Sequence, residues 1–254
     1  TRTDFLNSGH AAINPSSSAM SIDLVISDLD GTILETEDYH RRAYNVLFRE
    51  LNLSREWSEA DYKARLATMG GAKFDEILPW LSQPVENHVE TCRTLYARKT
   101  ELYVDLVVDA LKRGDLALRP GVKSLFKQLI DSGVGLAVGS ACVKWAAERV
   151  LQASLGKELV SSLATVCAGD DVKAKKPDPA VYLLVAQRCG VEPRNCFVIE
   201  DTRHGMEAAH NAGMRCLVTP SKLAKGDVFQ GAAGELESLE GIGIQDLQVF
   251  WEKC

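Results

Sequence analysis

The sequence predicts an α/β protein with a Rossmann-like parallel-sheet core and an inserted α-helical domain. Three observations predict it. From about residue 120 onward, short apolar β-prone runs alternate with helical stretches, the pattern of a parallel sheet covered on both faces. The first such run, residues 23–27, is separated from the others by an all-helical block over about residues 36–116. That first run also delivers two carboxylates, Asp28 and Asp30, where Gly31 breaks the strand. Open α/β sheets bind their ligands at this carboxyl edge.

Each element has a local reason. Residues 23–27 read as a buried strand. In the helical block, Tyr39, Ala43, Val46, Leu47 and Leu51 mark one apolar face. Gly70-Gly71 interrupts this region, and residues 85–113 form a second long helical stretch that Gly114 ends. Pro120-Gly121 opens a helix through Ile130. Strands are expected at 135–139, 164–168, 196–199 and 215–219, with helices at 144–151, 180–189 and 205–212. The core therefore comprises residues 21–35 and 117–254, and the helical domain residues 36–116. Residues 1–20 are rich in Ser, Asn and Ala and lack hydrophobic periodicity, so they are expected to be disordered. Residues 221–254, acidic and apolar with Trp251, carry no recognisable chemistry and are expected to finish the core.

Composition excludes several function classes. The chain has 254 residues, 46% hydrophobic and 25% charged, as in a soluble globular protein of one large or two small domains. Net charge is −6 and no basic block occurs, which argues against nucleic acid. No run is long enough to span a membrane. Seven cysteines are dispersed without Cys-x-x-Cys pairs. That spacing argues for free thiols in a reducing compartment and against zinc.

Chemistry collects at four expected strand ends. Asp28 and Asp30, two apart, leave one side of a strand. One carboxylate of such a pair can attack or hold a metal while the other transfers a proton. An acidic turn is the plain alternative, and an EF-hand would need further ligands that residues 33–39 do not supply. Ser140 follows the run Leu136-Ala137-Val138-Gly139, where a hydroxyl and turn amides suit phosphoryl oxygens or simply cap a helix. Lys176, in the charged segment 170–179 and before Pro177, is held extended and can aim a cation into a site. Glu200-Asp201 ends another apolar run just before a helix. Mg²⁺ prefers octahedral oxygen coordination by one or two carboxylates plus water and phosphate, which Asp28 and Asp201 on neighbouring strand ends would supply. Each feature has an ordinary structural explanation alone, but four such features in one chain, all at strand ends, do not.

The set Asp28-x-Asp30, Ser140, Lys176 and Glu200-Asp201 resembles the four motifs of the haloacid dehalogenase superfamily of phosphoryl-transfer enzymes, over roughly residues 22–220. The helical insertion looks like that superfamily's type-1 cap. Within it, the chain looks most like the CbbY-like sugar-phosphate phosphatases, which act on xylulose 1,5-bisphosphate, a misfire product that inhibits Rubisco. This narrower resemblance rests on Ala168-Gly169-Asp170-Asp171-Val172 leading into Lys175-Lys176-Pro177-Asp178-Pro179, on Glu35-Thr36-Glu37 with His40-Arg41-Arg42-Ala43, and on Gly70-Gly71-Ala72-Lys73.

The resemblance implies roles. Asp28 is the nucleophile that forms an aspartyl-phosphate, and Asp30 is the acid and then the base. Asp28 and Asp201 bind Mg²⁺ through carboxylates, Asp30 through its carbonyl and Glu200 through water. Lys176 and Ser140 offset the phosphoryl charge. Glu35 to Glu37 form the hinge. His40, at the start of the first cap helix, touches substrate or Asp30. Lys73 and Lys144 meet the distal phosphate of a bisphosphate. Asp75 departs from the pattern, since an acid there weakens the bisphosphate assignment unless it faces solvent or pairs with Lys73. A β-phosphoglucomutase-type mutase is the alternative, and a sugar-phosphate-binding domain that kept the fold is a third. The expected partner is a small phosphorylated sugar and the expected state a monomer. The plastid stroma is the expected location, with the cytoplasm as alternative.

Overall fold

The computed structural model describes residues 21–66 and 70–253. The expected disordered segment, residues 1–20, lies outside them.

Six parallel strands form one sheet: β1 (Leu24–Ser27), β2 (Gly135–Gly139), β3 (Val166–Cys167), β4 (Cys196–Glu200), β5 (Arg215–Val218) and β6 (Gly234–Glu235). Their spatial order is β3-β2-β1-β4-β5-β6. The chain winds outward from β1 in one direction, then crosses back and winds outward in the other. β1 and β4 thus flank the switch point, where a crevice opens at the carboxyl edge. Ser27 lies opposite both Val138 and Ile199, so the ends of β1, β2 and β4 are level.

β1 is buried on both faces, and its residues sort by parity as the pleat requires. Val25 packs into a core with α5 (Val122–Ser132), α6 (Lys144–Ser161) and α9 (Ile244–Glu252). Leu24 and Ile26 pack into a second core with α7 (Ala180–Cys189) and α8 (Arg203–Asn211).

Some boundaries differ from expectation. β3 is two residues rather than five. α6 runs ten residues past the expected Leu151, crossing Gly156 at φ 80° and ψ 167°. β6 was not foreseen, because a two-residue strand has no periodicity to read. Its Gly234 lies against the Phe250 ring of α9, where a Cβ would collide.

Between β1 and α5 lie α1 (Glu37–Glu50), α2 (Glu59–Lys63), α3 (Phe74–Ile77) and α4 (His88–Arg113). Tyr39, Ala43 and Leu47 of the expected α1 face are buried, with Val46 and Leu51 half-buried. The Asn87 side chain accepts from the Glu90 amide to cap α4, and Gly114 ends it in the left-handed region at φ 78°. Trp57 is the hub of the insertion's core. Its ring centroid lies 4.8 Å from Tyr44 and 5.0 Å from Phe48, with Tyr62 and Trp80 just beyond. Trp57→Ala is expected to lower stability by about 3–5 kcal/mol through lost burial and an unfilled cavity, measured by urea unfolding.

Candidate active site

The backbone after β1 is held in a tight loop. The Asp28 amide donates to Ile199 O at 2.9 Å, extending the β1–β4 pairing. The Ile33 and Leu34 amides both donate to Leu29 O. Gly31 sits at φ 92° with the Asp201 carboxylate directly above it, so both the backbone angle and the close approach demand glycine. The strand itself ends at Ser27, yet Asp28 and Asp30 both line one cavity of about 350 Å³ between the sheet edge and the helical insertion.

Lys176 organises the floor of that cavity. Its Nζ donates to Asp28 Oδ1 at 2.5 Å, Glu200 Oε1 at 2.7 Å and the Gly139 carbonyl at 3.0 Å. The Lys176–Pro177 peptide is cis. Burial opposes charge on Lys176, but the two carboxylates hold its pKa above the ordinary value. Glu200 is locked on both oxygens. Oε1 also accepts from Tyr182 Oη at 2.7 Å, and Oε2 accepts from the Asp201 and Thr202 amides at 2.9 and 3.1 Å. Burial alone would push Glu200 up; Lys176 and these donors outweigh it and hold it low.

One lysine does not neutralise three acids. Asp28, Glu200 and Asp201 offer ligand oxygens within 4.8 Å of one another, all buried. Burial, ahead of the opposing Lys176 charge, pushes Asp28 up to about 8. Burial and then the charges of Glu200 and Asp28 push Asp201 well above its ordinary value. Asp201 Oδ2 is buried without a hydrogen-bond partner. An orphaned carboxylate oxygen in an all-oxygen donor set fits a hard divalent cation such as Mg²⁺.

Asp30 has different surroundings. Its Oδ1 accepts from Thr36 Oγ1 at 2.6 Å and from Tyr103 Oη of α4, and His40 Nε2 lies 3.6 Å away. Burial pushes this carboxyl up, but the His40 ring and the Thr36 and Tyr103 hydroxyls outweigh it and hold it at about 2. Thr36 precedes α1 yet makes no side-chain cap, because its hydroxyl goes to Asp30. His40 stacks on Tyr103 with centroids 3.8 Å apart. Its Nδ1 lies 2.7 Å from Lys99 Nζ. An ammonium can only donate, so Nδ1 accepts and the ring proton sits on Nε2, facing Asp30. Burial lowers Lys99 to about 8.

The other expected residues divide. Ser140 is buried at the end of β2. Its Oγ accepts from the Cys142 amide at 3.0 Å, which leaves the hydroxyl proton to donate. Lys73 is buried in the cavity wall, with Nζ 5.7 Å from the Tyr62 ring centroid. Lys144 does not line the cavity: its Nζ lies 3.7 Å from Asp171 Oδ1, and Lys175 occupies the cavity wall instead. First position in α6 carries the Lys144 side chain outward, which spacing from Ser140 alone cannot show. Asp75 is turned away from Lys73 and bonds His88 at the surface.

Sequence reasoning missed three residues. Lys99 and Tyr103, four apart on α4, lie on the buried face with Leu95 and Leu102. A lysine within an apolar stripe was the available signal. Arg119 is buried beside the hinge. Its guanidinium donates to the carbonyls of Gly31, Thr219, Pro220 and Glu237 and lies 3.5 Å from Glu35. No periodicity marks it.

A carboxylate pair after β1, a buried lysine and a second acid pair after β4, gathered at a parallel-sheet switch point beneath a helical insertion, define a phosphoryl-transfer hydrolase. A family model for haloacid dehalogenase-like hydrolases matches residues 22–213, and the chain belongs to that family. It is a phosphatase of that family, and some of its relatives carry that name. Protein CbbY of Rhodobacter capsulatus is 34% identical over 230 residues, covering 89% of this chain and 97% of that protein. Fructose-1-phosphate phosphatase YqaB of Escherichia coli is 34% identical over 193 residues, covering 75% and 92%. Among solved structures, a CbbY mutant from Rhodobacter sphaeroides in complex with xylulose-(1,5)bisphosphate has a TM-score of 0.79 at 31% identity, covering 89% of this chain and 99% of that one.

Gly205, in the first turn of α8, packs against the Glu200 carboxylate, where a Cβ would overlap it. Gly205→Ala is expected to displace Glu200 and with it Lys176. Misplacement on the 1 Å scale costs about 100-fold. Phosphatase turnover should fall by that order while circular dichroism remains that of the wild type.

Proposed function

We propose that this chain is a Mg²⁺-dependent phosphatase of a sugar bisphosphate such as xylulose 1,5-bisphosphate, acting through an aspartyl-phosphate on Asp28. The observation that carries this reading is Lys176, clamped between Asp28 and Glu200 at one wall of a cavity that has Lys73 in another. One cation serves the reacting phosphoryl group, and the second, Lys73, stands in the wall that a distal phosphate would face. Asp75, turned outward, removes the objection that an acid stands beside that distal phosphate. The R. sphaeroides structure with the bisphosphate supports the substrate class.

In the first half-reaction an Asp28 oxygen attacks phosphorus in line, and the bond from phosphorus to the sugar oxygen breaks. Asp30 gives its proton to the departing oxygen. A carboxylate approaching a phosphate at about 4 Å meets roughly 4 kcal/mol of repulsion per charge pair at an effective dielectric of ~20. Lys176 and the Ser140 hydroxyl proton offset part of it. Mg²⁺, held by the carboxylates of Asp28 and Asp201, the Asp30 carbonyl and Glu200 through water, would supply the remaining charge neutralisation. In the second half-reaction Asp30 takes a proton from water, which attacks phosphorus and frees Asp28.

Asp30 must carry a proton for the first half, yet its neighbours hold it ionised at about 2 without substrate. A phosphoryl dianion docked beside it raises its proton affinity by like-charge repulsion. Substrate arrival therefore prepares the acid.

The test is phosphate release with Mg²⁺ from xylulose 1,5-bisphosphate, ribulose 1,5-bisphosphate and β-glucose 1-phosphate, with Asp28→Asn as control. Selective release from xylulose 1,5-bisphosphate is expected, abolished by Asp28→Asn and by chelation of Mg²⁺. Formation of glucose 6-phosphate from β-glucose 1-phosphate, with no release from either bisphosphate, would replace this reading with a mutase. Lys73→Met is expected to raise KM for the bisphosphate about 10–100-fold, the worth of a hydrogen bond to a charged group. KM for small monophosphates should change far less.

A further inference from the structure

Three ligand-type side chains meet outside the cavity, on the surface of the helical insertion. His88 and Cys92 are four apart at the start of α4 and share one face. Asp75 reaches them from α3. Its Oδ1 lies 2.8 Å from His88 Nε2 and 3.9 Å from Cys92 Sγ. One ligand atom from each residue lies within 4.8 Å of the other two. None of the three lines the cavity.

We propose that Asp75, His88 and Cys92 form a second metal site, for Zn²⁺ or a similarly thiophilic divalent ion. The donor set separates it from the active-site cluster. Imidazole nitrogen, thiolate sulfur and one carboxylate oxygen suit Zn²⁺, whereas three carboxylates suit Mg²⁺. Zinc held by three protein ligands keeps a fourth tetrahedral position for water. With zinc–ligand distances of about 2.0–2.3 Å, tetrahedral ligands stand roughly 3.3–3.8 Å apart. The observed 2.8 and 3.9 Å bracket that range. The His88 and Asp75 side chains are 60% and 64% exposed, so both can adjust without repacking the interior.

The site has a consequence for the cavity. Asp75 is two residues past Lys73, so a metal bound there ties α3, and the wall that carries Lys73, to α4. The ion acts as a clip across the segment between them.

Co²⁺ titration of the Mg²⁺-saturated protein tests this, because thiolate ligation gives a charge-transfer band that the carboxylate cluster cannot produce. One equivalent of Co²⁺ is expected to bring up that band, and Zn²⁺ to discharge it. The band should be absent in Cys92→Ser. His88→Ala should weaken Zn²⁺ binding by at least the roughly 10–100-fold that loss of even an outer-shell partner costs. Both variants should keep wild-type circular dichroism and Mg²⁺-dependent turnover, which shows that they fold. A wild type with no band, or a band of equal strength in Cys92→Ser, would overturn the proposal.

Discussion

The buried contact of Lys176 with Asp28 and Glu200 is the constraint on which the rest of the site depends. Charges removed from water survive only when paired and hydrogen-bonded. Taking away one partner of such a pair costs about 3–5 kcal/mol. Every donor around Glu200 is committed to keeping this arrangement: Tyr182 from α7, and the amides of Asp201 and Thr202 at the turn into α8. The glycines beneath follow from it. Gly31 and Gly205 are bare because carboxylates occupy the space a Cβ would need. The parallel order that sets β1 beside β4 brings Asp28 and Glu200 within reach of one ammonium.

Asp30 belongs to the core by sequence and to the helical insertion by contact. Its carboxylate takes the Thr36 hydroxyl at the entrance to α1 and the Tyr103 hydroxyl in α4. The proton-transfer group proposed here is thus wired to the elements that cover the cavity. Arg119 anchors the other side of the same connection, gathering carbonyls from the loop after β1 and from the loops after β5 and β6 and facing Glu35. Movement of the insertion would alter the Asp30 surroundings while leaving the Lys176 cluster intact. That division suits chemistry in which one carboxylate must stay fixed and the other must change protonation.

The alternation of apolar runs and helices made the sheet legible, because parallel strands buried on both faces are continuous apolar segments. Acids and a lysine at strand ends were legible for a related reason: charged groups are expensive to place next to a core without a use. Lys144 shows the limit of spacing. Four residues past Ser140 is near in sequence, yet the first turn of α6 sends it to Asp171. Asp75 shows the same from the other side, since its place two residues past Lys73 left open whether it would pair with that lysine or face solvent, and α3 turns it outward to His88. Dispersed cysteines argued against zinc, and that rule counts spacing along the chain. The proposed second site joins Cys92 and His88 to Asp75 across seventeen residues and two helices.

By itself the sequence determined the α/β class, the helical insertion and the identity of the residues at the ends of β1, β2 and β4, because these follow from local periodicity and from the cost of stranded charge. Only the tertiary structure decided which oxygens share Lys176, that Asp201 keeps an oxygen without a partner, that Lys99 and Tyr103 reach across to His40 and Asp30, and that Lys144 and Asp75 leave the cavity. Those outcomes depend on distances between segments far apart in the chain. Side-chain direction and burial are set there by how the helices pack, and no local pattern encodes that packing.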